Sequence, residues 1–528
     1  MRRIFVRTGK LILLVVAVVL ISLWGFRAYI AWRSPPPQLW HTFVPKELTI
    51  AEMDRSNWDQ YLERENRLFA DVRSEVTDKL PLEAQVQSNR FFSGSRIYPP
   101  NLSHNWNRSY VLEPEGNVKG AVVLLHGLTD TPFSLRHFAR RYQEAGFVAI
   151  GIRVPAHGTV PAALTDVTWE DWMAATRLAV REAKRRIEPG QPLHIVGFSN
   201  GGALAMKYAL DALEDKSLPR ADRLVLFSPM IGITRFARFA GLAAVPAFFP
   251  AFAKSAWLGI VPEFNPFKYN SFPVNGARQS HRLTTSLQQQ ITRMSRNEAF
   301  NELPPVLTFQ SVMDYTVSTS AILYALYAHL PENGSELVLY DVNRASVFGP
   351  LMRSASEVAL TRILPPLPQS YDITIVGNAS PNDVYTIATT TKAGKTDQTV
   401  QELNLAYPPN IFSLSHVAIP FPMDDALYGM NPPPGSDAKF GVNLGTLAAR
   451  GERGALIVQL DSLFRTSSNP FFPYQLERVE AAINDPMPKH PVLIERSKVN
   501  ITPPPASYQS DIEKFLDESP EDYDSAPF

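Results

Sequence analysis

A serine hydroxyl becomes a nucleophile only when a base takes its proton and a third group orients that base, so a constrained serine, a histidine and a carboxylate are the residues to find. Gly197-Phe198-Ser199-Asn200-Gly201-Gly202 fits G-x-S-x-G and directly follows the apolar run Leu193-His194-Ile195-Val196. A strand that turns sharply into a helix lifts the serine above a sheet, and small neighbours let strand and helix approach. The bland alternative is a serine that caps the helix. Asp314 sits where the strand-like Val306 to Ser311 meets a loop, and could hold a base or simply cap a turn near Thr316. Asp341 is the rival acid, inside an apolar strand pattern one position later in the topology. His416, in Phe412-Ser413-Leu414-Ser415-His416-Val417-Ala418, comes after Asp314 and after a strand-like approach to the sheet edge. The chain order is then Ser, Asp, His.

An attacked carbonyl also needs donors for its developing negative charge. His126-Gly127-Leu128 closes the strand Ala121 to Leu125, and the backbone N–H of Leu128 could pair with that of Asn200 as an oxyanion hole. His126 is expected to order that loop rather than react. Ala156-His157-Gly158 follows the next strand and is expected to shape another loop, since no second histidine stands at metal-ligand spacing. Neither a metal nor a cofactor is implied. The chain has no cysteine, which removes thiol nucleophiles, disulfides and Cys-zinc sites together and leaves Ser199 as the nucleophile of its kind.

These residues need a scaffold. From Tyr110 the chain alternates buried strand and helix: strands at Gly120 to Leu125, Phe147 to Ile152, Leu193 to Phe198 and Arg223 to Phe227, with helices at Pro132 to Ala145, Trp169 to Ile187 and Asn200 to Leu213. Continuous apolar runs joined by helices predict an α/β fold with a mostly parallel central sheet covered on both faces. The rhythm breaks at about 229–302, rich in Phe, Ala and Pro at its start, and an inserted cap over the sheet is expected. It resumes at Val306 to Ser311, Ser318 to His329 and Leu337 to Val342. A second interruption, about 345–410, carries β-like stretches at Tyr371 to Val376, Val384 to Thr389 and Thr399 to Leu405 and predicts a small inserted hairpin or sheet.

Leu11 to Phe26 is almost wholly apolar, and the apolar character continues to Trp32. A helix over Leu11 to Trp32 would be about 33 Å long, enough for a hydrocarbon core of about 30 Å. Arg2, Arg3, Arg7 and Lys10 precede it, so the positive-inside rule predicts a single-pass signal anchor with a cytoplasmic N-terminus and the remainder exported, periplasmic in a bacterium. The competing cleaved signal peptide lacks a clear small-residue cleavage site. Pro35-Pro36-Pro37 then stops the helix, and Glu47 to about Arg90 is expected to be a helical stalk or an N-terminal decoration.

Composition bounds the rest. In 528 residues, 45% hydrophobic and 19% charged, a globular chain is expected. Its 51 basic and 51 acidic residues cancel, so charge gives no reason to expect nucleic acid. The 45 prolines, well above the usual ~5% of residues, gather where parts join and in the acidic tail at 484–528, which is expected to be poorly ordered.

Val122-Val123-Leu124-Leu125-His126-Gly127, Pro155-Ala156-His157-Gly158, Thr168-Trp169-Glu170-Asp171-Trp172 and Gly197-Phe198-Ser199-Asn200-Gly201-Gly202 together resemble the α/β-hydrolase superfamily. Within it they are similar to the carboxylesterases and monoacylglycerol lipases of the serine aminopeptidase-like branch. The resemblance implies Ser199 as nucleophile, His416 as base and Asp314 as acid. The long interval from Asp314 to His416 departs from compact members, and an insertion after Asn343-Arg344 accounts for it if the sheet resumes at Ser413. The domains are then a cytoplasmic 1–10, an anchor 11–32, a linker and stalk 33–95, a hydrolase domain 96–483 and the tail. The expected function is hydrolysis of a lipid-like or short-chain carboxylic ester through an acyl-enzyme, by a protein tied to the membrane. A peptidase or amidase of the same fold, and a non-catalytic envelope binding protein, are the alternatives, and oligomeric state is left open.

Overall fold

The computed structural model of the chain describes residues 35–232, 254, 256–347, 359–446 and 468–485, together with six single positions between 10 and 29. Most of the expected anchor, most of the first half of the expected cap, and the acidic tail beyond Asp485 lie outside the described residues. Among the described residues no helix is long and apolar enough to cross a membrane.

Among the described residues, ten strands form the main sheet. In chain order they are β1 (Tyr110–Leu112), β2 (Gly120–Leu125), β3 (Phe147–Ile152), β4 (Leu193–Phe198), β5 (Arg223–Phe227), β8 (Val306–Ser311), β9 (Glu336–Tyr340), β10 (Asp372–Asn378), β11 (Tyr385–Thr391) and β12 (Gln398–Ala406). Between β5 and β8, Trp257–Gly259 (β6) and Phe272–Pro273 (β7) pair as a separate small ribbon. The order across the main sheet is β1-β3-β2-β4-β5-β8-β9-β10-β11-β12. All neighbours from β3 to β10 pair in parallel, while β1, β11 and β12 pair antiparallel at the two ends.

The continuous apolar runs are explained by burial on both faces. Ala121, Val123 and Leu125 point to one core with Leu224 and Leu226, whereas Val122 and Leu124 point to the other with Val225 and Phe227. The first core is closed by the helices Trp169–Arg185 and Asn200–Glu214 through Trp172, Leu178 and Leu204. The second is closed by Arg136–Glu144 and Phe472–Asn484, where Phe138 stacks on Phe227 at 4.2 Å and also meets Phe472. Each large apolar side chain so buried contributes about 1.5–3 kcal/mol. Trp169–Arg185 starts where the Thr168 hydroxyl accepts the N–H of Asp171 and the Asp171 carboxylate accepts that of Thr168.

Three expected segments take definite places. The described strands of the second insertion join the main sheet: β10 lies parallel beside β9, and β11 and β12 extend the same sheet outward. Local alternation identifies strands but not the edge they join. The expected cap region contains the 21-residue helix Val274–Met294, whose Leu283, Leu287, Ile291 and Met294 are buried in the first core. Its second half is therefore part of the layer covering the sheet. Of the two readings of the stretch from Glu47, the decoration fits: Met53, Trp58 and Tyr61 join the first core, and Tyr61 Oη donates to the Arg153 carbonyl at the end of β3. Ser318 to His329 is helical but irregular, changing from α to π to 3-10 geometry within eleven residues of Thr319–His329.

Candidate active site

β4 delivers Ser199 to the C-terminal edge of the sheet in a strained conformation, φ 54° and ψ −116°. A non-glycine residue with positive φ must be held there by its surroundings. Ser199 N donates to the Phe227 carbonyl at 2.9 Å, and the Ser199 carbonyl accepts from Met230 N at 2.9 Å and Gly202 N at 3.0 Å. The glycines are sterically required. A Cβ on Gly201 would stand 1.8 Å from the Leu125 carbonyl oxygen, and one on Gly197 would stand 2.4 Å from that of Gly201. The Ser199 side chain makes no capping bond to the helix Asn200–Glu214, which removes the bland reading of this serine.

His416 and Asp314 are brought together. His416 Nδ1 lies 2.7 Å from Asp314 Oδ2, with the carboxylate fully buried and His416 7% exposed. The other oxygen, Asp314 Oδ1, accepts the backbone N–H groups of Thr316 at 2.8 Å and Val317 at 3.0 Å. The turn-capping and histidine-holding roles are thus both filled, one by each oxygen. Burial alone would raise the Asp314 pKa, but the His416 imidazole and these N–H groups hold it below the usual carboxylate value. The His416 ring stacks at 5.3 Å on Phe198, the residue before Ser199, so the pair stands beside the serine turn. Asp341 instead faces Arg344 Nη2 at 3.0 Å.

No strand leads into His416. The sheet ends at β12, and residues 411–416 form a loop. That loop is fastened by Asn343, just past β9: Asn343 N donates to the Phe412 carbonyl at 2.8 Å, and its Nδ2 donates to those of Ile411 at 2.8 Å and Pro408 at 2.9 Å. An amide can satisfy several loop carbonyls as a strand ladder would. Asn343 carries no signal in the sequence because its partners are about seventy residues away.

The loop after β2 lies against the serine turn, where a Cβ on Gly127 would come within 3.2 Å of Ser199 Cβ. Within the described residues, neither Leu128 N nor Asn200 N donates to a protein acceptor. His126 orders the loop: its Nδ1 bonds the Gly127 carbonyl at 2.9 Å, and its Nε2 accepts Val154 N at 3.0 Å. Burial pushes its pKa well below the ordinary value. His157, ring edge to His126 at 5.0 Å, is also buried and is lowered to about 4. Among the described residues no group of three His, Cys, Asp or Glu could hold a metal ion.

Several supporting residues carry no sequence signal either. Asp130, buried on the loop after β2, accepts the Thr131 N–H at 2.9 Å, and burial raises its pKa to about 6 despite Lys268 and His416 nearby. Arg136 pairs with the fully buried Asp425 carboxylate, which also lies 2.7 Å from His137 Nε2. This joins the helix after the Leu128 loop to the chain just beyond His416. Arg153, at the end of β3, is held by Glu47 at 2.8 and 2.9 Å and by Glu65 at 3.1 Å. Glu47 also accepts Ala156 N at 2.8 Å.

Residues 116–344 match the family model described as serine aminopeptidase, S33. A thermostable monoacylglycerol lipase from Bacillus sp. (strain H-257) is 34% identical over 88 residues, which cover 17% of this chain and 34% of that lipase. The match thus spans about a third of that relative's length. Among solved structures, a monoacylglycerol lipase from Paleococcus ferrophilus aligns with TM-score 0.33 and 16% identity, over 44% of this chain and 86% of that one. A soluble variant of the monoglyceride lipase of Saccharomyces cerevisiae in complex with a substrate analog aligns with TM-score 0.33 and 15% identity, over 44% and 80%.

Proposed function

We propose that this chain, whose central domain has the α/β-hydrolase fold and resembles serine aminopeptidase-like hydrolases, is a serine hydrolase that cleaves carboxylic esters of lipid-like or short-chain acyl groups. The observation that carries the reading is the 2.7 Å contact between His416 and Asp314 beside a serine forced to positive φ. Ser199 Oγ attacks the ester carbonyl as His416 takes its proton. Asp314 keeps the proton of Nδ1 directed at itself, so that Nε2 is the free base. The N–H groups of Leu128 and Asn200 receive the oxyanion. His416 then protonates the leaving alcohol, and water, activated by the same imidazole, releases the acid from the acyl-enzyme.

A peptidase reading is favoured by one observation, the serine aminopeptidase description of the matching family model. The triad chemistry serves either. Labelling with a fluorophosphonate probe should occur in the natural chain and vanish in Ser199→Ala; labelling that survives the substitution sinks the hydrolase reading. Turnover of p-nitrophenyl esters against aminoacyl anilides then divides esterase from peptidase.

The same proposal sets Leu11 to Trp32 in a membrane with the hydrolase domain exported. A reporter that is active only in the periplasm, fused after Phe528, should be active in a bacterial host, and a silent fusion that is expressed would overturn the topology.

A further inference from the structure

The chain after Pro35-Pro36-Pro37 does not wander from the domain. Trp40 is buried and stacks on Phe91 at 5.2 Å, and His41 sets its ring edge against Trp257 at 4.9 Å and its Nε2 2.9 Å from Ser271 Oγ. Trp40, Leu80, Ala84, Phe91, Trp257 and Ile260 form one apolar cluster with Val160 and Ala162. The last two belong to the loop beyond the C-terminal end of β3, at the same edge of the sheet as Ser199 and Gly127. Glu47 fastens the arm to that edge again, through Arg153 and Ala156 N.

Large apolar side chains stand exposed around this cluster: Val44, Leu82, Val86, Leu258 and Val261, with Leu82 83% accessible. On the other flank of the edge, Tyr315, next to the acid Asp314, is also 83% accessible. Single exposed apolar residues are ordinary, but a group gathered at one end of a domain marks an interaction surface. The covalent connection identifies the occupant. Seven residues lie between Trp32, the end of the apolar N-terminal run, and the buried Trp40, and the eight steps from one to the other, fully extended, span at most about 28 Å. A tether this short, fixed to the active edge, keeps the exposed apolar side chains close to whatever surface holds the run.

We propose that the sheet edge bearing Ser199 faces the lipid bilayer that anchors the chain, with Leu82, Val86, Leu258 and Val261 entering its interface, so that the ester cleaved is a lipid held in that bilayer. The inference rests on the hydrolase and anchor readings above and adds orientation and substrate source. The apolar side chains enter the headgroup boundary as those of an interfacial helix do.

The absence of cysteine makes the test direct. Full-length Leu82→Cys, Leu258→Cys and Lys216→Cys, each carrying an environment-sensitive NBD label, are reconstituted in phosphatidylethanolamine and phosphatidylglycerol vesicles. Lys216 is exposed on the turn before β5, at the opposite end of the strands. Labels at 82 and 258 should shift to shorter emission wavelength and be quenched by doxyl lipid, and the label at 216 should not. Equal quenching at all three positions, or none at 82 and 258, overturns the proposal. In a second arm, Leu82→Asp with Leu258→Asp should lower the ratio of turnover on a vesicle-borne monoacylglycerol to that on p-nitrophenyl acetate by about five- to tenfold, since buried apolar area sets interfacial binding. An unchanged ratio also overturns it. Quenching is read without turnover, so failure of the hydrolase reading, seen as inactivity on both esters, is separate from failure of the orientation.

Discussion

His416 Nδ1 and Asp314 Oδ2 meet at 2.7 Å across 102 residues of chain, and the second carboxylate oxygen is committed to two backbone N–H groups. The carboxylate therefore cannot turn to exchange its oxygens. In Asp314→Asn the N–H groups of Thr316 and Val317 will claim the amide oxygen and leave the amide NH2 facing His416 Nδ1. The imidazole must then carry its proton on Nε2, where it cannot accept one from serine. Turnover should fall by about 10³–10⁴-fold with KM little changed, as steady-state kinetics on a p-nitrophenyl ester would show. A loss below tenfold would remove Asp314 from the triad.

The close approach of strand and helix at the serine turn leaves no room for a methyl group. Gly201→Ala would place Cβ 1.8 Å from a backbone carbonyl, which cannot move as a flexible side chain could. Destabilisation should reach or pass the upper end of the roughly 1–3 kcal/mol that over-packing costs. Thermal unfolding and soluble yield measure it; a variant that melts within about a degree of the natural protein would show that strand and helix can part to admit the methyl.

The Arg136–Asp425 pair is buried on both sides. Asp425→Asn should cost about 3–5 kcal/mol, because it strands the guanidinium, while Arg136→Met with Asp425→Leu together should cost less than either change alone. Burial would raise the Asp425 pKa, but Arg136 and His137 depress it far below the ordinary value. Its contribution is therefore present above the unfolded carboxylate pKa and is lost as pH falls toward the depressed one. His137, lowered to about 4 by burial, acts in the same direction, since the unfolded chain takes up its proton first as pH drops below about 6.5. Unfolding midpoints should fall more steeply in the natural chain than in the double variant as pH drops below about 4, where the unfolded carboxylate takes up its proton; parallel curves there would refute this.

Asp130 has the opposite sign. Its folded pKa is raised from 3.8 to about 6 by burial, so the folded protein holds a proton that the unfolded chain has released. The stability this group contributes is complete below about pH 4 and is lost as pH rises through about 6. Asp130→Asn should gain melting temperature over the natural protein above pH 6, and the gain should vanish near pH 4. A gap that does not change with pH would contradict the assignment.

Much of the fold and of the site is legible in the sequence, for a physical reason. Strands buried on both faces favour apolar residues at every position: β2 and β3 stand in the sequence as uninterrupted runs, and β4 and β5 depart from this only at His194 and Arg223, whereas β8 mixes Thr308, Gln310 and Ser311 with its apolar residues. The serine turn is legible because sterics fix its glycines. What local pattern cannot supply is pairing. β10 to β12 are visible as strands but not as an extension of the main sheet. The Val274–Met294 helix carries Leu283, Leu287, Ile291 and Met294 at helical spacing, yet Gln and Thr between them weaken the stripe. The bonds of Asn343 to the His416 loop, and of Arg136 to Asp425, join residues 65 to 289 positions apart, and no sequence window contains both partners.

Among the described residues the ten-stranded sheet ends at two outer strands, and an open edge invites another chain to continue the ladder. β1 has only three residues, too few to template much. β12 has nine, largely exposed, and would be the hazard. This outer strand is rich in Gln, Thr, Glu and Asn, Asn404 sits at φ 51°, and the pairing with β11 slips between Tyr385 and Ile387. A second copy approaching this side meets a kinked, hydrophilic margin that it cannot match in register. The extension that lengthens the sheet thus also gives it an outer margin poorly suited to edge-to-edge joining.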